Sequence, residues 1–419
     1  MKYEVLSNFA TIIVMTDKKV TEGKSKSSTK KILRSKKKSA DKGMSLEVFD
    51  GIYLELKDQI EAHEKSVEVV GKYAEDYDNK IIKKLETVLQ KLSKKGSKLT
   101  RSDLDLLTEN LKEKPRQGLI FKKNSIVSMV SILDDMFSSI LRHYYSQNHQ
   151  KLSVESKSIS FAELDEITKI EDAKNHILTK EIDQILLNEG VKNRFQILQT
   201  EMGIRLPKNQ DHIKEINKLI KTRNLVVHNS CKADKEYLSN YGEGKIKIGD
   251  QLRFTNKNLE DSLALILFMG GYILQLCQLK HKSRQIESRD FILNDVIHLL
   301  VKKNNFAYLR EIYDLSKNIK LNDSNKKVIV INYCIGQVKQ GKKKKHILEI
   351  LNKEDWSDIS PEVKLCLLAL KEEHKEFYTL LKKMIKDGII GKLEILDWEI
   401  FTLYSKKPEF RDVVKNIIK

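Results

Sequence analysis

Between Lys221 and Ser230 the chain reads Lys-Thr-Arg-Asn-Leu-Val-Val-His-Asn-Ser. Three of these side chains, Arg223, Asn224 and His228, are equipped for chemistry. A guanidinium is permanently charged, and its planar fork fits two oxygens of an oxyanion. An imidazole has an intrinsic pKa suited to proton transfer near neutrality. A carboxamide can orient either group. Their placement sets them apart from ordinary surface residues. On a helical wheel at about 100° per residue, Ile213, Ile216, Leu219, Ile220, Val226 and Val227 share one apolar face, with Arg223 near its middle. Asn217, Asn224 and His228 run along the border, and Asn224 and His228 are i,i+4 neighbours. A guanidinium on a core-facing stripe is usually either paired or working. Two readings stay open on this geometry: a reaction site, or a structural ion pair with a histidine near a helix end.

The order Arg-Asn, three residues, then His-Asn, with Tyr237 nine residues beyond the histidine, resembles the HEPN superfamily. Its signature is Arg, usually a polar residue, then three to five residues and His, on a helix of an all-α bundle. The resemblance covers roughly residues 120–282. It draws on the preceding amphipathic helix, the polar residue after Arg and the apolar helix downstream. The resemblance implies metal-independent RNA cleavage, with no cofactor. Such cleavage needs a base for the 2′-hydroxyl proton, an acid for the leaving 5′-oxygen, and positive charge where negative charge builds on the phosphate. It implies His228 as the proton-transfer group, Arg223 as the phosphate ligand and Asn224 as the group that orients one or the other. Asn229 is expected in support, and Asp134 as the acidic partner of Arg223. Arg223 and His228 lie about 140° apart on an ideal helix, so one helix does not easily aim both at one atom. Family members resolve this by pairing two bundles into a composite cleft, which implies a homodimer here. They commonly act as toxins or antiviral effectors that cut tRNA, mRNA or rRNA.

The elements that would hold this site follow from composition and periodicity. A chain of 419 residues with 40% hydrophobic and 32% charged residues can bury ample core, and two or three domains are expected. Four prolines and 17 glycines among abundant Lys, Glu, Leu and Ile point to an all-α protein. Cys231, Cys277, Cys334 and Cys366 are scattered. His228 and Cys231 have i,i+3 spacing, but no second pair closes a zinc site, so no metal is expected. Isolated thiols fit a reducing cytoplasm. No phosphate-cradling G-x-x-x-x-G-K-[ST] and no G-x-S-x-G nucleophile elbow occurs.

The net charge of +18 attracts polyanions. Residues 17–43 carry 11 Lys/Arg against 3 Asp/Glu, so +8 of that charge lies in one Lys/Ser-rich stretch. Residues 1–43 are therefore expected as a disordered basic arm, either tethering nucleic acid or simply solvated. No aromatic residue is interleaved among its charges to stack on bases. The apolar patch Ala10–Met15 is too short to span a membrane and lacks the flanks of a signal peptide. Met44, opening a well-patterned helix, is a second possible translation start.

Residues 44–115 read as an N-terminal helical region. Helices are expected at Glu47–Val70, Asp76–Leu92 and Arg101–Leu111, the first two as an antiparallel pair. Residues 116–285 read as the HEPN-like bundle. Its first helix, 121–145, places Ile126, Met129, Val130, Leu133, Phe137, Ile140, Leu141 and Tyr144 on one face, with Asp134 at the edge and Asp135 opposite. Helices near 161–187 and 190–202 follow, then the motif helix at 210–229 and a small hairpin within Lys245–Phe254. A helix over Leu259–Lys280 completes the bundle. Its unbroken apolar run Leu263–Leu274 is shorter than the roughly 20 residues a span needs and is closed off by Glu260, Asp261, Gln275 and Gln278. It is expected as a buried core helix rather than a membrane segment, with Gly270-Gly271 admitting a close neighbour.

Residues 286–419 read as a C-terminal TPR-like helical-hairpin array. Similar second helices recur at Phe306, Ile347, Phe377 and Phe410. The first and last are 104 residues apart over three intervals, near the period of about 34 typical of such arrays. An array of this kind presents a groove for a protein partner. Two other function classes remain beside the nuclease: a non-catalytic helical scaffold, and a nucleic-acid-binding protein driven by the basic arm.

Overall fold

The computed structural model describes residues 48–93, 100–102, 105, 116–151, 159–160, 163, 167, 169–188, 191–207, 211–242, 244, 246–280, 291–319 and 321–418. The basic arm, 1–43, and most of the helix expected at Arg101–Leu111 lie outside these residues. Among the described residues the fold is all-α, with no strand and one isolated antiparallel bridge between Lys232 and Gln251. The chain forms two compact units. Among the described residues, those within Ile52–Ile273 make one; those within Leu274–Lys419, with 48–51, make the other.

In the first unit the central element is α3, defined against its predecessors. Helix α1 (Val48–Ser66) passes through a π-helical turn, Val67–Gly71, straight into α2 (Lys72–Ser93). The antiparallel pair expected here is not formed, because helical backbone continues through Ser66 and Lys72 without a loop. The role of a partner falls to α3 (Gln117–Gln147), against which both α2 and the π-helical turn pack. Gly71 is needed at that contact: a Cβ there would stand 2.9 Å from Phe121 Cε1. The start of α3 is held from α2 by Asp78, whose carboxylate accepts from Gln117 N (3.0 Å) and Gly118 N (2.9 Å). Two otherwise unpaired amides are satisfied, by an anion at the favoured end of the helix.

All eight residues of the expected α3 face are buried. Ile132, Met136 and Tyr145 are buried too, because α4 (Ile170–Asn188) and α6 (Asp211–His228) also pack on α3. Between them runs α5 (Val191–Thr200), and α7 (Lys235–Tyr241) follows the motif helix. Helix α8 (Asn256–Lys280) carries the apolar run. A Cβ added at Gly270 would lie 2.4 Å from Leu56 Cδ2 and 3.0 Å from Met136 Sδ, so glycine there sets the packing distance. Helices α3 and α8 are long and apolar enough to cross a membrane by length and composition. The most apolar window of α8 is 83% buried inside the fold, consistent with a core helix.

The hairpin expected within Lys245–Phe254 is replaced by a turn. Lys247 N donates to the Asp250 carboxylate at 2.8 Å, and Gly249 supplies the left-handed residue at φ +87°. Residues beyond the turn pair instead with the segment after α6, through Ala233 N to Asp250 O and Leu252 N to Cys231 O, both 2.9 Å. Ile246 and Ile248 are exposed, so their alternation has no face to bury and does not set a register.

In the second unit, helices α9 (Phe291–Lys302), α11 (Asp323–Lys339) and α13 (Pro361–Lys371) pack in succession. Each is followed by a shorter or more amphipathic helix: α10 (Leu309–Asn318), α12 (Lys344–Leu351) and α14 (His374–Lys386). Two short helices, α15 (Lys392–Asp397) and α16 (Glu399–Thr402), precede α17 (Pro408–Ile418). Ile347, Phe377 and Phe410 are buried on α12, α14 and α17; Phe306 lies half-buried just before α10. Gln275 and Gln278, expected to end the apolar run, are fully buried. They remain satisfied as a chain: Gln278 donates to Asp50, Gln275 donates to Gln278 at 2.8 Å, and Leu293 N donates to Gln275 at 3.3 Å.

Two glycines in helices give opposite expectations. Gly270→Val forces bulk into a closed contact and should cost about 1–3 kcal/mol. Gly51→Ala meets no described atom within 4 Å and should gain up to about 1 kcal/mol of helix propensity. Thermal unfolding followed by circular dichroism should show a lower midpoint for the first and an unchanged or higher one for the second.

Candidate active site

Helix α6 carries the motif, and its buried face changes along its length. In the early turns Ile216, Leu219 and Ile220 are buried, on the side expected from periodicity, and α6 packs there on α3 and α5. In the last turns the buried residues are Thr222 and Leu225, about half a turn around the wheel. Leu225 faces the chain that follows α6, where it packs with Cys231, Ala233, Tyr237 and Leu252. Val227, expected in the core, is consequently 52% exposed. The cover on the α3 side ends near Arg223.

The helix end is firmly defined. Asn229 N and Cys231 N both donate to Leu225 O, at 3.0 and 2.7 Å. Ser230 and Cys231 adopt positive φ, 51° and 67°, a conformation unusual for side chains other than glycine or asparagine. Burial of the Cys231 side chain offsets that strain and pushes its thiol pKa up. Lys221 braces the same corner, at 2.5 Å from Glu236 and 3.3 Å from Asp234. Asp234 caps α7 by accepting from Tyr237 N at 2.6 Å. That amide, and then Lys221, hold the Asp234 carboxyl below the usual aspartate range. The cap therefore contributes above that range and is lost as pH falls through the depressed pKa.

Asp134 of α3 receives Arg223: Nη2 lies 3.2 Å from Asp134 Oδ2. The other carboxylate oxygen is taken by Arg194 of α5, a residue that sequence reasoning missed. Arg194 is only 3% exposed. It also donates to Leu186 O at 2.8 Å and lies over the Phe137 ring at 5.9 Å. Arg223 keeps 26% of its side chain exposed. The two cations thus divide one carboxylate, Arg194 from inside the fold and Arg223 from its edge. Asp134 also borders an open groove of about 480 Å³ with Gln59, Ser131, Asp135 and Ser138. That groove presents acceptors and carboxylates, which suits a phosphate poorly.

The remaining expected residues separate. Asn224 and His228 are exposed on α6 and make no side-chain hydrogen bond among the described residues. Asn229 is committed to the turn, its Nδ2 donating to Lys232 O at 2.9 Å. Tyr237 is buried against Tyr241. Asn217, on the same border as Asn224, has its Oδ1 shut from solvent without a partner. Because α6 runs unbroken through Arg223 and His228, the two are separated by about 7.5 Å along the axis and about 140° around it. Among the described residues no three His, Cys, Asp or Glu side chains gather in a group that could hold a metal ion. Comparison with family models, curated proteins and solved structures finds no match to this chain.

The unequal burial of the two arginines sets a stability test. Asp134→Asn strands the Arg194 charge inside the fold and should cost about 3–5 kcal/mol. Arg223→Ala removes the exposed partner only and should cost less than about 1 kcal/mol. Denaturant unfolding of the two variants beside the wild type checks the ordering.

Proposed function

We propose that the protein is a metal-independent endoribonuclease of the HEPN type, with Arg223 and His228 acting on RNA in a cleft completed by a second copy of the chain. One observation carries this reading. Asn224 and His228, on the same helix as Arg223, engage in no side-chain hydrogen bond among the described residues, while the guanidinium keeps solvent contact. Asp134 holds one edge of that guanidinium and leaves the charge available to a phosphate oxygen. His228 would move the proton, and Asn224 would orient the imidazole or the phosphate. The angular separation of Arg223 and His228 argues for a composite cleft. The exposed Val227, beside Arg223 on the apolar stripe, gives a second copy something to cover.

The biological reading is a regulated toxin or antiviral effector. Under it, the helices of 291–418 serve as a TPR-like array for a protein partner. Four buried free thiols suit a reducing, cytoplasmic setting. A second reading rests on the Arg223–Asp134 contact itself: a non-catalytic scaffold in which the pair fastens α6 to α3.

Arg223→Ala and His228→Ala decide between the two. Each removes one component of a single step, so each should lower cleavage by about 10²–10⁴-fold, with the double variant hardly worse. Both variants should stay folded. Wild-type cleavage by folded His228→Ala defeats the nuclease reading.

Light scattering of the active protein should give a mass near 97 kDa, twice 48.7 kDa, and monomeric variants should lose activity. A fully active monomer contradicts the composite cleft. Deleting residues 1–43 should preserve cleavage while weakening RNA binding and flattening its salt dependence. Complete loss of cleavage by a folded truncation would place the site elsewhere.

A further inference from the structure

We propose that a groove in the first unit holds one nucleotide of a single-stranded RNA, with Arg253 on a phosphate, Phe254 against the base, and Asn79 and Gln251 at the base edge. This rests on the reading of RNA as the substrate and adds a second point at which the strand is held. The groove lies between α2, the start of α3 and the segment that follows the turn at Lys247–Asp250, and it measures about 510 Å³. Small-ligand sites span roughly 300–1,000 Å³. Ile82 and Leu119 give it apolar surface, and the half-buried Phe254 adds an aromatic ring.

The polar groups of the groove divide into spent and unspent. Glu75 is paired with Lys122 at 2.6 Å and accepts from Asn256 Nδ2 at 3.2 Å. Both oxygens of Asp78 are taken by the first amides of α3. Arg253, Asn79 and Gln251 are exposed in the lining and make no side-chain hydrogen bond or ion pair among the described residues. The charge left to recruit a ligand is therefore a guanidinium, whose fork fits two phosphate oxygens. Each carboxamide sets a donor beside an acceptor, the complement of a base edge. The ring of Phe254 offers a face on which an unstacked base can lie. A carboxylate ligand would satisfy Arg253 but use neither the ring nor the two amides. The groove also joins the proposed catalytic helix through packing. Leu252, which lines it, packs with Leu225 of α6, two residues beyond Arg223, and Phe254 packs against the same cluster. A strand anchored here is held by the framework that carries Arg223 and His228.

Binding rather than cleavage tests this, by fluorescence anisotropy on the full chain at fixed salt. The probes are a labelled 2′-O-methyl oligoadenylate hexamer and an abasic tetrahydrofuran phosphate hexamer of equal charge. Neither has the 2′-hydroxyl that the proposed cleavage needs, so a failure of the nuclease reading leaves the result readable. The wild type should bind the oligoadenylate at least about tenfold more tightly than the abasic strand. Asn79→Ala combined with Gln251→Ala should weaken the oligoadenylate by about tenfold and leave the abasic strand unchanged. Arg253→Ala should weaken both strands and reduce the salt slope by about 0.7. All three side chains are exposed, so these variants should keep the wild-type circular dichroism. Equal wild-type affinity for the two strands overturns the proposal, because attraction of phosphate to a basic chain would then suffice. Undiminished oligoadenylate binding by either folded variant overturns it as well.

Discussion

Asp134 stands on α3 between two guanidiniums that arrive from different helices, and the geometry of the site depends on that shared carboxylate. Arg194 comes from α5 and is nearly inaccessible; Arg223 comes from α6 and remains at the edge. A carboxylate has enough lone pairs for both, so the buried charge of Arg194 is answered without consuming the whole acceptor. What remains orients Arg223 at the edge of the contact between α6 and α3. Without Asp134, the nearly inaccessible Arg194 would be left as an unpaired cation inside the fold.

Beyond Arg223 the end of α6 is built in the opposite direction. Its last turns bury Thr222 and Leu225, the latter against Tyr237 of α7 and Leu252, and two consecutive residues with positive φ turn the chain sharply after Asn229. Covering this side leaves the other open. Val227, Asn224 and His228 therefore meet solvent at a rigid corner rather than on a mobile loop. An imidazole held in this way, with its polar atoms unspent, costs the fold little and stays open to solvent. This combination of a pinned backbone and idle side chains supports reading the corner as catalytic.

Much of this was legible in the sequence where periodicity was strict. The α3 face is legible residue by residue because its apolar positions recur every three or four residues for about five turns, and Gly270 announces a close helix contact that Leu56 and Met136 supply. The junction of α1 and α2 was not legible. Gly71 reads as a break, yet its role is to admit Phe121 while the helix continues. Val227 was misplaced because a wheel assumes one buried side, whereas α6 exchanges neighbours partway along. Arg194 was open to the same reasoning as Arg223, since Ile197 and Leu198 sit three and four residues beyond it and are buried with it. Its pairing with a carboxylate 60 residues earlier leaves no trace in local spacing.

The chemistry assigned to this corner leaves a distinctive product, and the direct measurement is the end-group analysis of RNA cut by the purified protein in excess EDTA. Attack by a 2′-hydroxyl, with a proton taken and returned by imidazole, leaves a 2′,3′-cyclic phosphate on one fragment and a 5′-hydroxyl on the other. The account predicts those ends, at a rate unaffected by EDTA. Intact RNA, or cleavage that EDTA abolishes and that leaves 3′-hydroxyl and 5′-phosphate ends, would contradict it.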